Sequence, residues 1–330
     1  MLLVASVFAY RSGTARAERF ESGQRFLPNL NPDDVAAIVL KKGAETVTLK
    51  RGEGRFTIVE AKGYPAKNEA VNRLLRDLVE ATLDKEIGGG ESLFKDLELE
   101  AEGANTVEVT LKDTSDKDMV RLVLGKQAEG GGGTFVRRAD DADGTVYLTG
   151  KRLYVNAARA DFLNKEIVDV KREDVTRVAG PDFELSGDGL KLAGLPAGRE
   201  EDPAKVNQVK GALSYLRFDE VFVADDPAVR ELAFEPKLQV DLKDGSGYRL
   251  ALAERDGKSY MRISGYHTVD RVAVSPTESE AELKEKAEVL SRADEMAKFN
   301  AFHGSWAYQV NQATADKLKL TKSALTKTKA

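Results

Sequence analysis

The sequence predicts an α+β protein made of two tandem related units, each a mostly antiparallel sheet with packed helices, followed by a C-terminal extension. Three observations lead there. Short runs of alternating apolar residues sit between glycine turns, which is strand and hairpin patterning. Two segments, Tyr64-Pro65-Ala66-Lys67 and Asp202-Pro203-Ala204-Lys205, each open a helical stripe. The elements around those segments recur in the same order, as in an internal duplication.

The first unit spans residues 33–170. A run from Asp34-Val35 to Leu40, then Val47 with Leu49, then Phe56 with Ile58, reads as a three-strand meander turning at Gly43, Gly52 and Gly54. Tyr64 is expected as a helix cap, with Pro65 at the first helical position, where a missing N–H costs nothing. Val71, Leu75 and Leu78 form the apolar stripe behind them. Strands follow at Val107–Leu111, Met119–Leu124, Phe135–Arg137 and Val146–Leu148, then a helix around Leu153–Phe162.

The second unit, residues 171–298, repeats the walk. Asp174-Val175 answers Asp34-Val35, Phe183 and Leu185 answer Val47 and Leu49, and Leu190 and Leu192 answer Phe56 and Ile58. Asp202 is the better cap of the two helices, because its carboxylate accepts an orphan N–H. Val209, Leu213 and Leu216 are its expected stripe. Leu238–Asp244, Arg249–Leu252, Tyr260–Arg262 and Val272–Val274 echo the later strands, and Thr277 with Glu280 is the expected capping box of the next helix. Residues 299–330 form the extension, carrying Phe299, Phe302, Trp306 and Tyr308 and a last stripe of Ala315, Leu318 and Leu325.

Residues 1–32 read as a membrane-anchor remnant or signal segment with a tether. MLLVASVFAY is apolar but far short of the roughly 20 residues a spanning helix needs. Ala15-Arg16-Ala17 is a small-x-small cleavage pattern, although no basic stretch precedes the apolar one.

Composition bounds the chemistry. An apolar share of 42% and a charged share of 32% describe a folded, well-solvated chain. A net charge of −5 makes no electrostatic case for nucleic acid, and zero cysteines remove thiol chemistry, disulfides and thiolate metal sites. The two histidines, His267 and His303, lack a neighbour at metal spacing and read as structural or surface residues. Gly130–Gly133 runs into a strand at Thr134-Phe135, without the lysine and helix of a phosphate loop. Asp140-Asp141-Ala142-Asp143-Gly144 lacks the closing glutamate of a calcium loop, having Gly150 there. Ser246, in Asp244-Gly245-Ser246-Gly247, joins two strands rather than a strand and a helix. No catalytic, metal or cofactor-binding residue is therefore assigned, and no cofactor is expected.

Three stretches carry a family likeness: the helix opening Tyr64–Lys67 after a meander; Val120–Leu124, Gly125-Lys126 and Thr134–Arg137 leading to Val146–Leu148 and Asp161–Leu163; and Trp306–Val310 before Ala315–Leu318. In these the chain resembles the uncharacterised auxiliary proteins encoded beside ABC-type transport systems of the gliding-motility kind, labelled as a domain of unknown function. The resemblance implies a single membrane anchor, an extracytoplasmic (periplasmic) repeat region and no catalytic residues to carry over. Its partners would be ABC-type transporter membrane subunits or related envelope proteins.

The expectation is therefore a non-enzymatic, membrane-associated accessory or scaffold subunit of an ABC-type transport or envelope assembly. The alternative is a soluble extracytoplasmic module binding a glycan, peptide or lipid in a groove between the repeats. Phe135, Arg137, Tyr260, Arg262, Trp306 and Tyr308 are the candidate groove or interface residues, the arginines because they take matching places beside Phe135 and Tyr260. Leu283, Ala287 and Leu290 make a narrow stripe on an acid- and lysine-rich helix, a solvated face or a partner-helix surface.

Overall fold

The computed structural model describes residues 20–269 and 279–329. The chain divides into two units at Asn164/Lys165. Each is built on one antiparallel sheet with helices against it, so the class is α+β.

In the first unit the strands are β1 (Ala37–Lys42), β2 (Glu45–Arg51), β3 (Phe56–Ile58), β4 (Tyr64–Pro65), β5 (Leu83–Gly89), β6 (Val107–Lys112), β7 (Asp118–Gln127), β8 (Thr134–Arg138) and β9 (Thr145–Thr149). Their order across the sheet is β4-β3-β2-β1-β6-β7-β8-β9-β5. The meander β1–β3 forms as the alternation predicts: Ile38, Leu40, Val47, Leu49 and Ile58 are all buried, and Leu40 faces Val47 and Val109 across the ladders. Helix α1 (Asn68–Val79) buries Val71, Leu74, Leu75 and Leu78, adding Leu74 to the predicted stripe. Two short helices follow, α2 (Glu91–Asp96) and α3 (Arg159–Phe162).

The opening of α1 differs from expectation. Tyr64 and Pro65 do not cap or start a helix; they are extended and pair with Ile58 and Thr57 as an edge strand. An edge tolerates a residue without an N–H. The backbone N–H groups of Ala66 and Lys67 are spent on Phe56 O and Phe162 O, which delays the helix to Asn68. The helix expected around Leu153–Phe162 shrinks to α3, with extended backbone at Ala158 before it. β5 had no sequence signal, since Leu-Asp-Lys-Glu-Ile-Gly-Gly has no apolar alternation.

The second unit contains β10 (Glu166–Val168), β11 (Val175–Ala179), β12 (Glu184–Ser186), β13 (Lys191–Leu192), β14 (Arg199–Glu201), β15 (Leu216–Arg217) and β16 (Glu220–Val223). It continues with β17 (Glu235–Leu242), β18 (Ser246–Arg255), β19 (Lys258–His267), β20 (Trp306–Val310) and β21 (Thr326–Thr328). The main sheet runs β13-β12-β11-β17-β18-β19-β20-β16, with separate pairs β10-β15 and β14-β21. Helix α4 (Pro203–Lys210) is capped as predicted, Asp202 accepting from the N–H groups of Ala204 and Lys205. It ends at Gly211, however, so only Val209 of the predicted stripe lies on it; Val206 shares its buried face, while Leu213 is beyond the helix and Leu216 is in β15.

Residues 299–330 are not a separate extension. β20 enters the main sheet between β19 and β16, and β21 pairs with β14. Helix α5 (Glu280–His303) precedes β20, and α6 (Gln312–Leu318) follows it, burying Ala315 and Leu318. The strand expected at Val272–Val274 lies outside the described residues, as do Thr277 and the segment 1–19. The cap of α5 is Ser279 with Glu282, a reciprocal capping box two residues later than expected. The first half of α5 is largely exposed: Leu283 and Leu290 are 40% and 42% accessible. Its second half lies on β19, where the bare backbone of Gly265 admits Met296 and Phe299. Among the described residues no helix is long and apolar enough to cross a membrane.

Candidate functional site

The candidate site is a cavity of about 660 Å³ within the second unit. Its floor follows from strand register. Leu238, Leu250 and Ile263 stand opposite one another on β17, β18 and β19, so their side chains share one face. Ala179, Gly180 and Pro181, at the end of β11, line one end, and His303, Gly304 and Trp306 line the other. The second wall is positioned by Asn300, whose side chain accepts from Gly265 N at 2.7 Å and donates to Gly265 O at 2.8 Å. That clamp fixes α5 on β19, and His303 falls about one turn further along.

His303 is 7% accessible. Phe299, Phe302 and Tyr308 surround it, with ring centroids at 4.0, 4.8 and 5.7 Å, and its Nδ1 lies 2.6 Å from the Tyr308 hydroxyl. Burial pulls its pKa down to about 4, because an imidazolium there would forgo its hydration. The ring is therefore neutral at pH 7. Among the described residues its Nε2 has no hydrogen-bond partner.

Arg249 and Arg262 also line the cavity, yet strand alternation turns their side chains to the opposite face from Leu250 and Ile263. There Arg249 stacks on Tyr266 (4.1 Å) and Arg262 on Phe234 (4.4 Å). The Tyr266 hydroxyl bonds Asp241, which also pairs with Arg177, and burial with that carboxylate raises the Tyr266 pKa. The Nε of Arg262 is buried without a partner, and its Nη2 reaches Ala224 O at 3.4 Å.

The six residues singled out from sequence separate. Trp306 lines the cavity, Arg262 borders it with its side chain turned to the opposite face, and fully buried Tyr308 supports His303 behind it. Tyr260 packs on the other face with Val229 and Ala307, its ring edge-on to Phe222 at 5.9 Å. Phe135 and Arg137 belong to the first unit, where Phe135 packs on Leu99, Val123 and Val146. Arg137 is buried; its Nε donates to Leu99 O at 3.0 Å and its guanidinium lies over Phe94 at 4.4 Å. Burial lowers its pKa, with Glu108 pulling weakly the other way.

The Leu238–Leu250–Ile263 row escaped the sequence reading, and His303 was read there only as a structural or surface residue. The clustering of Phe299, Phe302 and Trp306 around His303 was the available signal; the register that aligns the three aliphatic residues was not. The other motifs are structural. Asp141 accepts from the N–H groups of Asp143 and Thr145, closing the β8–β9 turn, while Asp140 pairs with Arg138. Ser246 donates to Asp244 within its own turn. Among the described residues no three histidine or acidic side chains gather as a metal site.

A family model described as a domain of unknown function, DUF4340, matches residues 57–233. The chain belongs to this family. The DUF4340 match begins in β3 and ends just before β17, so it takes in parts of both units. No curated protein and no solved structure matches the chain.

Proposed function

We propose that this DUF4340 protein is a non-enzymatic accessory or scaffold subunit of an ABC-type transport or envelope assembly, membrane-held on the extracytoplasmic side. The observation that carries the reading is the strand order. Without edge strand β4, the first sheet runs β3-β2-β1-β6-β7-β8-β9-β5, and the second runs β13-β12-β11-β17-β18-β19-β20-β16. Strand for strand the two orders correspond, which supports tandem related units and, on that reading, pairs β20 with β9. At the matching β8 and β19 positions, Arg137 and Arg262 both stack on a phenylalanine and reach a backbone carbonyl. What the two units have in common is a packed shape, which suits a scaffold. The apolar segment MLLVASVFAY and the gliding-type resemblance supply the membrane and transporter parts of the proposal.

Affinity purification of the full-length protein from native membranes tests this. Recovery of ABC-type membrane subunits, with protease sensitivity only from the extracytoplasmic side, is the expected result. Clean recovery without any such subunit would count against it.

The cavity favours a second reading, an extracytoplasmic ligand-binding module. At about 660 Å³ it lies within the roughly 300–1,000 Å³ typical of small-molecule pockets.

A further inference from the structure

We propose that the cavity of the second unit binds an uncharged, chain-like lipid group, whose hydrocarbon lies along Leu238, Leu250 and Ile263 and whose single oxygen bonds His303 Nε2. The inference rests on the ligand-binding reading and names the ligand class for it.

Three features select that class. The floor is a continuous aliphatic row across three strands, and Trp306 and Pro181 extend the apolar lining at its ends. Such a surface rewards hydrocarbon and offers no partners for the many hydroxyls of a glycan. His303 is the polar point: it lines the cavity, is more than nine-tenths buried and is held by Tyr308 through Nδ1, which leaves Nε2 as its free nitrogen. A neutral imidazole donates or accepts one hydrogen bond there, which suits an alcohol, ester or carbonyl oxygen. A carboxylate would have to shed its hydration beside a neutral ring. The nearby cations do not rescue it, because Arg249 and Arg262 are turned to the other face and stacked on Tyr266 and Phe234, and Lys237 is already paired with Glu235 at 2.7 Å.

Trp306 is the only tryptophan in the sequence and lines the cavity, so its emission reports occupancy directly. The full chain is titrated with dodecanol, dodecane and dodecanoate, and stoichiometry is read by native mass spectrometry. Dodecanol is expected to bind one per chain and to shift Trp306 emission. It should bind roughly three- to tenfold tighter than dodecane, the worth of one net hydrogen bond. In His303→Phe that preference should vanish, and His303→Gln, which keeps a donor and an acceptor, should restore part of it. Circular dichroism of both variants checks that the fold is kept.

Equal binding of dodecanol and dodecane, or tighter binding of dodecanoate, overturns the proposal. So does silence from all three. If soluble glycans or peptides then change Trp306 emission, the ligand-binding reading survives and only the lipid assignment falls. If nothing does, both fall.

Discussion

Arg137→Met is the sharpest test of how the first unit is held together. The substitution keeps an unbranched apolar stem but removes the guanidinium, which gives Leu99 O its 3.0 Å hydrogen bond and covers Phe94 at 4.4 Å. Leu99 is completely buried, so its carbonyl is left without that donor in a dry setting, at a cost of about 1–3 kcal/mol. The lost cation–π contact adds about 0.5–2 kcal/mol. Part of the sum is returned because a buried charge no longer has to be desolvated, leaving a net loss of about 2–4 kcal/mol. The counterpart Arg262→Met should cost no more than about 1–2 kcal/mol, because its carbonyl bond is long at 3.4 Å and its Nε has no partner to lose. Hydrogen exchange read by mass spectrometry resolves β6–β8 from β17–β19 and so reports each unit separately. Exchange in β6–β8 should quicken by one to three orders of magnitude, since each tenfold is about 1.4 kcal/mol. An Arg262→Met effect in its own unit equal to or larger than that of Arg137→Met in the first would refute the account.

Other outcomes follow from the same structure. His303 has a folded pKa of about 4, below its ordinary value of 6.5, so the unfolded chain binds the extra proton and stability falls as pH drops through that window. The loss reaches on the order of 3 kcal/mol by pH 4; urea midpoints tracked by Trp306 emission should move down accordingly, and a flat profile would contradict the neutral, buried ring. Asp202→Ala removes the acceptor for the N–H groups of Ala204 and Lys205 and should cost about 1 kcal/mol in thermal melts, with Asp202→Asn close to wild type. Gly133→Ala would set a Cβ 1.6 Å from Thr149 O and should lower the melting temperature sharply, whereas Gly132→Ala, whose Cβ meets only Ala128 at 3.5 Å, should be nearly silent. Similar melting temperatures for those two neighbours would show that the β8 entry is looser than described.

Much of the fold was legible because burial on one face writes alternation into the strands: Ile38 and Leu40, Val47 and Leu49, Val107 to Leu111. What was missed has physical causes. β5 and β16 are sheet edges, where pairing is one-sided and polar residues such as Asp84, Lys85 and Glu220 are tolerated. Pro65 suits both an edge strand and a helix start, and only its pairing with Thr57 separates the two. Sequence alone assigned Trp306 and Tyr308 to an interface because aromatics cluster there; their neighbours across β19 and α5 show Tyr308 to be core. The aliphatic floor of the cavity depends on the register among β17, β18 and β19, a long-range property that no local pattern encodes.

The placement of β20 and β21 has a consequence for synthesis. Every strand of the first sheet is made by Thr149, so that unit has all its sheet partners while the second is still being translated. The second sheet waits: Glu220–Val223 meets its neighbour only when Trp306–Val310 appears, and Arg199 reaches a partner 127 residues further along the chain. Until β20 has been made, the edge of β19 has no strand to cover it. An exposed edge of that kind is what holding chaperones bind and what neighbouring chains pair with. A chain halted between residues 270 and 305 would therefore carry one finished lobe and one sticky one.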